Sequence, residues 1–311
     1  MDVSRRWWAA GLALVLALVA LTGCDPAGGV SVEVAGEAGV KPVVTYVAPL
    51  DVSSTYRTVI WEGTGPLLVE DRPVLFDFYQ ENARDASIVR QTYDHGPGCY
   101  MVTVGGRAPA CGPRPVTHEL SRETLGEDLF QTLRGHRAGA RLLQVAPASG
   151  SGSDRFPSVT VIDVLPLRAQ GETIAPRTDV EFPTVTLARD GAPSITPTGD
   201  EPPSKVVSQP LIRGTGTPVG TRDTVTFQYT MFTWDGEAVE SSWERNQPES
   251  QPLEDLPATF SDWFTDQPVG SQFELIVPPG EPLKIRQSEE YKDQTLVLVV
   301  DILSTRPPRG A

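Results

Sequence analysis

TVTFQYTMFTWDGEAVESSWER, residues 224–245, is the stretch that decides the fold. Val225, Phe227 and Tyr229 alternate with Thr226, Gln228 and Thr230, which predicts a strand with one buried face. Asp235-Gly236 predicts a tight turn, because glycine tolerates positive φ and aspartate bonds its own backbone. The chain returns through Val239-Glu240-Ser241-Ser242-Trp243-Glu244-Arg245, which sets an acid and an arginine five residues apart.

Working outward, the same pattern occurs earlier. Gly63-Thr64-Gly65 matches Gly214-Thr215-Gly216, and at the same offset of 151 Val74, Phe76 and Phe78 match Val225, Phe227 and Tyr229. Leu133-Arg134-Gly135 through Gly139 parallels Phe264 through Gly270, each leading into a strand. Both units close on an apolar strand, Val159 to Leu165 with Asp163 and Leu296 to Leu303 with Asp301. The shared order points to a duplication. Each unit carries one expected helix, at 124–134 and 259–266. Thr124-x-x-Glu127 and Thr259-x-x-Asp262 are read as their capping boxes. One helix cannot cover both faces of a sheet, so the expected fold class is α+β, with a twisted antiparallel sheet wrapped around one short helix in each unit. Phe182 to Leu187, followed by Asp190-Gly191, is read as the first strand and turn of the second unit.

The N-terminus reads as an export leader. Arg5 and Arg6 precede an apolar stretch from Trp7 to Leu21, too short for a comfortable membrane span, which ends Leu21-Thr22-Gly23-Cys24. That ending looks like a bacterial lipobox, so Cys24 is the expected lipidation site and membrane anchor. The expected organisation is a signal peptide at 1–23, a tether at 24–41, a first unit at 42–168, a linker at 169–177 and a second unit at 178–306. The expected location is extracytoplasmic.

Formal net charge is −14, and removing Asp2, Arg5 and Arg6 with the leader makes it −15. An acidic surface repels phosphate backbones, which argues against nucleic acid as a partner. The 29 prolines and 28 glycines fit short strands and turns rather than a helical bundle. With Cys24 assigned to the anchor, Cys99 and Cys111 remain, closing a loop of 13 residues in an oxidising compartment. A disulfide there contributes roughly 3 kcal/mol in the loop-entropy picture. Cys99, Cys111, His95 and His118 fit no zinc spacing, so no metal is expected. Gly214-x-Gly216 leads into a strand and lacks the next glycine of a dinucleotide site. No Gly-x-Ser-x-Gly or His-Glu-x-x-His is present.

The 224–245 hairpin resembles that of the FKBP-type peptidyl-prolyl isomerases, in which a tyrosine, an aromatic–aspartate pair and an arginine line a proline pocket. The resemblance implies the same α+β fold and an activity that needs no cofactor and no covalent step. The prolyl barrier comes from amide double-bond character, and an apolar cup that favours the twisted amide lowers it by about 1.4 kcal/mol per tenfold in rate.

By the resemblance, Tyr229 is the pocket tyrosine and Arg245 its arginine. Val239 stands at an aromatic position, Glu240 at the aspartate, Glu249 at a wall phenylalanine, and Leu298 at a last-strand phenylalanine. The floor position is either Phe260 or Trp263, and counting back from Val269-Gly270 without gaps favours Phe260. Leu256 and Pro257 fall beside it, and Pro257 has no N–H to offer a substrate carbonyl. Tyr291 stands near the segment after Pro278-Pro279. In the first unit Val89, Asp94 and Leu129 occupy the corresponding positions, and no catalysis is expected there.

The implied function is a membrane-anchored isomerase acting on proline-containing exported polypeptides, weak and confined to the C-terminal unit. The alternative is a non-catalytic chaperone or envelope-binding lipoprotein of the same fold. A solute-binding lipoprotein fits less well, since each unit is too small for a cleft between two lobes.

Overall fold

The computed structural model describes residues 31–102, 110–149, 155–285 and 288–308. The leader and Cys24 lie outside the described residues. Among those residues no helix is long and apolar enough to cross a membrane.

The first unit holds β1 (Glu33–Ala35), β2 (Val43–Thr45), β3 (Tyr56–Trp61), β4 (Pro73–Asn82), β5 (Ser87–Gln91), β6 (Met101–Val102), β7 (Ala110–Cys111), β8 (Val116–Glu119), α1 (Arg122–Leu133), β9 (Arg141–Ser149) and β10 (Phe156–Leu165). The chain continues through β11 (Glu172–Thr173), β12 (Thr184–Leu187), β13 (Pro193–Thr196), β14 (Val207–Arg213), β15 (Thr224–Thr233), β16 (Ala238–Ser241), β17 (Glu249–Pro252), α2 (Ala258–Ser261), β18 (Gln272–Val277) and β19 (Leu296–Arg306). The two main sheets are antiparallel and share one topology, β3-β9-β10-β4-β5 with β8 on β4, and β14-β18-β19-β15-β16 with β17 on β15. The protein is therefore an α+β fold, FKBP-like, repeated twice.

The duplication is visible in register. β15 begins and ends 151 residues after β4. The β1–β2 hairpin, with Glu33 opposite Thr45, reappears 151 residues on as β12–β13, with Thr184 opposite Thr196. Between β8 and β17 the offset falls to 133, so the first unit carries 18 extra residues, including the Cys99–Cys111 disulfide. The repeated Gly-Thr-Gly has a packing cause. A Cβ on Gly63 would lie 2.1 Å from the Ala138 carbonyl oxygen, and one on Gly214 would lie 2.3 Å from that of Val269. Only glycine lets the backbones approach so closely.

Three expectations need correction. Residues 31–41 are not a free tether: β1 pairs with β2, and the carbonyls of Gly36, Glu37 and Val40 accept bonds from Arg141. The stretch 169–177 is not a bare linker, since β11 joins the second sheet by pairing with β14. Residues 182–187 with the turn at Asp190-Gly191 give the first strand and turn of the second unit as expected, though outside its main sheet. They form the β12–β13 hairpin, whose Val185 and Ile195 pack with Phe182 against Phe232, Ile276, Val297 and Val299 on the sheet's outer face. The outer face of the first sheet is covered likewise by Val34 and Val44. Neither capping box forms as read. Ser121, not Thr124, caps α1 by accepting the Thr124 N–H, and Gly126 breaks the helix at φ 73°. The second helix is one turn, with Pro257 at its N-cap and Asp262 at its C-cap.

Glu274 on β18 is fully buried, its carboxylate accepts from Gln209 Nε2 at 2.7 Å, and its Oε1 is unsatisfied. Burial pushes its pKa up to about 7, and Asp301 on β19 up to about 6. A carboxyl whose folded pKa is raised takes up its proton on folding. Its stabilising contribution is complete below the unfolded value of 4.5 and is lost as pH rises through 7. Stability is therefore expected to fall from pH 5 to pH 8 by on the order of 3 kcal/mol, a slope that Glu274→Gln largely removes. Urea midpoints measured across that range check this. A wild-type profile that rises with pH would refute it.

Candidate functional site

Strand β15 lies at the middle of the second sheet, between β19 and the pair β16 and β17, so its inward residues have no route to water. Val225, Phe227, Tyr229 and Met231 are each fully buried. Alternation along β15 and β19 sends Tyr229 and Leu298 into one cluster with Phe260 from α2. Val239, Trp263 and Tyr291 pack on the same cluster half-buried, and Leu256 is buried within it. Of the expected site residues, only Pro257 contributes mainly backbone. Its carbonyl accepts the N–H groups of Phe260 and Ser261 and starts the helical turn.

The polar side of the site is an ion-pair chain. Arg245 Nη1 pairs with Glu240 Oε1, Arg245 Nη2 donates to Glu249 Oε1 at 2.8 Å, and the guanidinium sits 5.9 Å from the Tyr229 ring centroid. The Tyr229 hydroxyl donates to Glu240 Oε1 at 3.5 Å. Glu249, at a position where the resemblance implies a wall phenylalanine, thus serves as a second partner for the arginine. Ser242 fixes the tyrosine's backbone: its Oγ accepts the Tyr229 N–H at 2.8 Å, and its hydroxyl donates to Gln228 at 2.6 Å.

Aromatic rings fill the floor. Phe260 stands edge-on to Phe227 at 5.9 Å and to Phe264 at 5.1 Å, and Phe264 stands edge-on to Phe273 at 5.4 Å. Phe264 escapes a search for pocket residues, although its spacing of four from Phe260 signals a shared face. Leu283 and Ile285, from the segment after β18, are buried in the same cluster. Tyr229, Phe260 and Leu298 are each 0% exposed. Beside Arg245 a cleft of about 340 Å³ opens between the units, lined by Asp71, Arg72, Pro73 and 117–119 on one side and by 245–247 on the other. Arg114 of the first unit feels the Glu249 charge, which opposes the lowering of its pKa by burial.

This constellation has apolar walls, an oriented tyrosine and a fixed ion pair. Residues 216–303 match the family model of the FKBP-type peptidyl-prolyl cis-trans isomerases. The match runs from the second glycine of Gly214-x-Gly216 to the closing strand and takes in every expected site residue of the second unit. Among curated proteins none matches the chain. Among solved structures, FkpA from Escherichia coli is 22% identical over 40% of this chain, with a TM-score of 0.27, and this chain spans 52% of it. The three FKBP domains of wheat FKBP73 are 12% identical over 81% of this chain and 94% of theirs, with a TM-score of 0.27. A peptidyl-prolyl isomerase from Pseudomonas syringae is 17% identical over 33% of this chain and 76% of its own, with a TM-score of 0.26.

Proposed function

We propose that the second unit is a peptidyl-prolyl cis-trans isomerase acting on proline-containing exported polypeptides, anchored outside the cytoplasm through Cys24. The supporting observation is the convergence of Tyr229, Glu240 and Arg245 with Phe260 and Leu298 on one face of a sheet that matches the isomerase family. No cofactor is called for. Rate enhancement comes from walls that favour the twisted amide, while the Tyr229 hydroxyl and the Arg245–Glu240 pair orient the backbone. Anchor and location rest on the lipobox reading of residues 21–24.

One observation favours a second reading, a non-catalytic binding protein of the same fold. Tyr229, Phe260 and Leu298 are fully buried and offer no exposed surface to a ligand. A proline ring reaches them only if the side chains packed around them move.

The mature chain is expected to accelerate cis-to-trans relaxation of a proline tetrapeptide. Tyr229→Phe, which keeps the ring and removes the hydroxyl, should lower that acceleration by about two- to tenfold, the equivalent of one hydrogen bond. No acceleration, in a chain whose folding is verified, would leave the binding reading.

A further inference from the structure

The disulfide of the first unit has a third group beside it. His95 Nδ1 lies 3.4 Å from Cys111 Sγ, and the ligand atoms of His95, Cys99 and Cys111 all fall within 4.8 Å of one another. His118 stands apart, near the Phe76 ring at 6.0 Å. We propose that on reduction of the disulfide Cys99, Cys111 and His95 form a three-ligand site for a borderline-soft divalent cation, of which Zn²⁺ is the best match. This site is separate from the isomerase cluster and does not depend on it.

The geometry fits such an ion. Metal–sulfur bonds of about 2.3 Å and metal–nitrogen bonds of about 2.05 Å at a tetrahedral angle place sulfur and nitrogen about 3.6 Å apart and two sulfurs about 3.8 Å apart. The observed 3.4 Å between Nδ1 and Cys111 Sγ is already close to that edge. The two cysteine Cα atoms are 5.5 Å apart, so rotation about χ1 brings both thiolates to one ion without moving the backbone. Three protein ligands leave the fourth position to water.

The backbone that carries these residues is held independently of the disulfide. Gln91 N–H donates to the Gly98 carbonyl at 2.7 Å, and Tyr100 N–H to the Gln91 carbonyl at 2.8 Å. Asp94, next to His95, is fixed by Lys41 and by the Gly96 N–H. All three ligand residues are half-buried, within reach of small reagents.

Opening the site requires a reductant, and an external dithiol supplies it. Its thiolate attacks Cys99 Sγ, the Cys99–Cys111 bond breaks, and Cys111 leaves as a thiolate beside His95. The second thiol of the reductant then attacks the mixed disulfide and releases Cys99, so two electrons pass to the protein and the dithiol is oxidised. Binding of the cation displaces the protons of both cysteine thiols to solvent.

The test uses the mature chain, oxidised or reduced by a phosphine, titrated with Co²⁺ as the spectroscopic probe and with Zn²⁺ in competition. The reduced chain, with its far-ultraviolet circular dichroism intact, is expected to take up one Co²⁺ with thiolate-to-metal charge-transfer absorption that Zn²⁺ abolishes. The oxidised chain should take up none. His95→Ala, which keeps the disulfide, should weaken binding by about tenfold or more after reduction. The proposal is overturned if the reduced chain binds no Co²⁺, if His95→Ala binds as tightly as the parent, or if reduction abolishes the β-sheet signal.

Discussion

Replacing Arg306 with alanine is expected to cost about 3–5 kcal/mol and to separate the unfolding of the two units. Arg306 ends β19 of the second sheet, yet its guanidinium reaches into the first unit, pairs with the fully buried Asp77 on β4 and lies 5.5 Å from the Tyr93 ring centroid. Asp77 also accepts from the Thr92 hydroxyl at 2.7 Å, and the Gly39 carbonyl accepts from Arg306 at 3.4 Å. Arg141 and Asp163, joined by bonds of 2.5 and 2.7 Å, stand next to this pair and balance it in charge. Without Arg306, the buried Asp77 keeps one hydroxyl partner, Thr92, and the cost is that of an uncompensated buried charge. Asp77→Leu combined with Arg306→Met removes both charges and is expected to cost less than either Asp77→Leu or Arg306→Ala alone. Trp61, stacked 4.5 Å from Arg141, reports on the first unit, while Trp234, Trp243 and Trp263 report on the second. A loss under about 1 kcal/mol with one coincident transition would refute the coupling.

The same positions show what duplication left in common. Asp163 on β10 faces Arg141 on β9 and Asp77 on β4, while Asp301 on β19 faces Gln272 on β18 and Gln228 on β15. The second unit thus holds one carboxyl among two amides, capped by the Ala169 N–H at 2.7 Å and by a Gln272 bond of 2.6 Å. Burial holds that carboxyl's pKa up at about 6 against the lowering by its Ala169 and Gln272 hydrogen bonds and the Arg168 charge, while in the first unit two arginines pair with two aspartates and burial still raises Asp77. The ionic centre of the first unit receives Arg306 from the second, and that contact ties a unit with no expected catalysis to the stability of its neighbour.

Long elements were legible in the sequence and short ones were not. The ten-residue β15 shows its apolar face through strict alternation, and β4 repeats it at an offset of 151, but the burial of the polar face, with Thr226, Gln228 and Thr230, was not legible. The β1–β2 hairpin has strands of three residues, too short for a period to emerge, so Val34 merged with a glycine-rich stretch read as tether. Ser121 lost to Thr124 as helix cap because both have the right side chain, and only the backbone angles at Ser121 decide. For the site, the spacing of Tyr229, Glu240 and Arg245 was readable because one hairpin carries all three. That Glu249 would complete the arginine's ion pairs was not, since its meeting with Arg245 depends on the bend between β16 and β17. The burial of Leu283 and Ile285 in the cluster was equally hidden, because it depends on how a segment without regular structure packs.

Phe264→Ala is expected to destabilise the protein by about 3–5 kcal/mol, comparable to the loss of Arg306. The side chain is fully buried and contacts three rings, Phe227 and Phe260 at 5.1 Å and Phe273 at 5.4 Å, contributed by β15, α2 and β18. Helix α2 has only four residues, so it has little stability of its own and depends on those rings for its place. The strands on either side cannot collapse into the space left by the phenyl group, which makes the cavity cost close to its full value. Trp263→Ala, at a half-buried neighbour on the rim of the same cluster, should cost clearly less. Urea denaturation of both variants checks the ranking, and equal losses would place the core one residue away from where the rings put it. Isomerase activity per folded molecule adds a second discrimination. Phe260 rests on Phe264, so activity lost by Phe264→Ala in native conditions marks the floor as dependent on that support. Activity retained in Phe264→Ala but lost in Trp263→Ala moves the proline-facing surface to the rim.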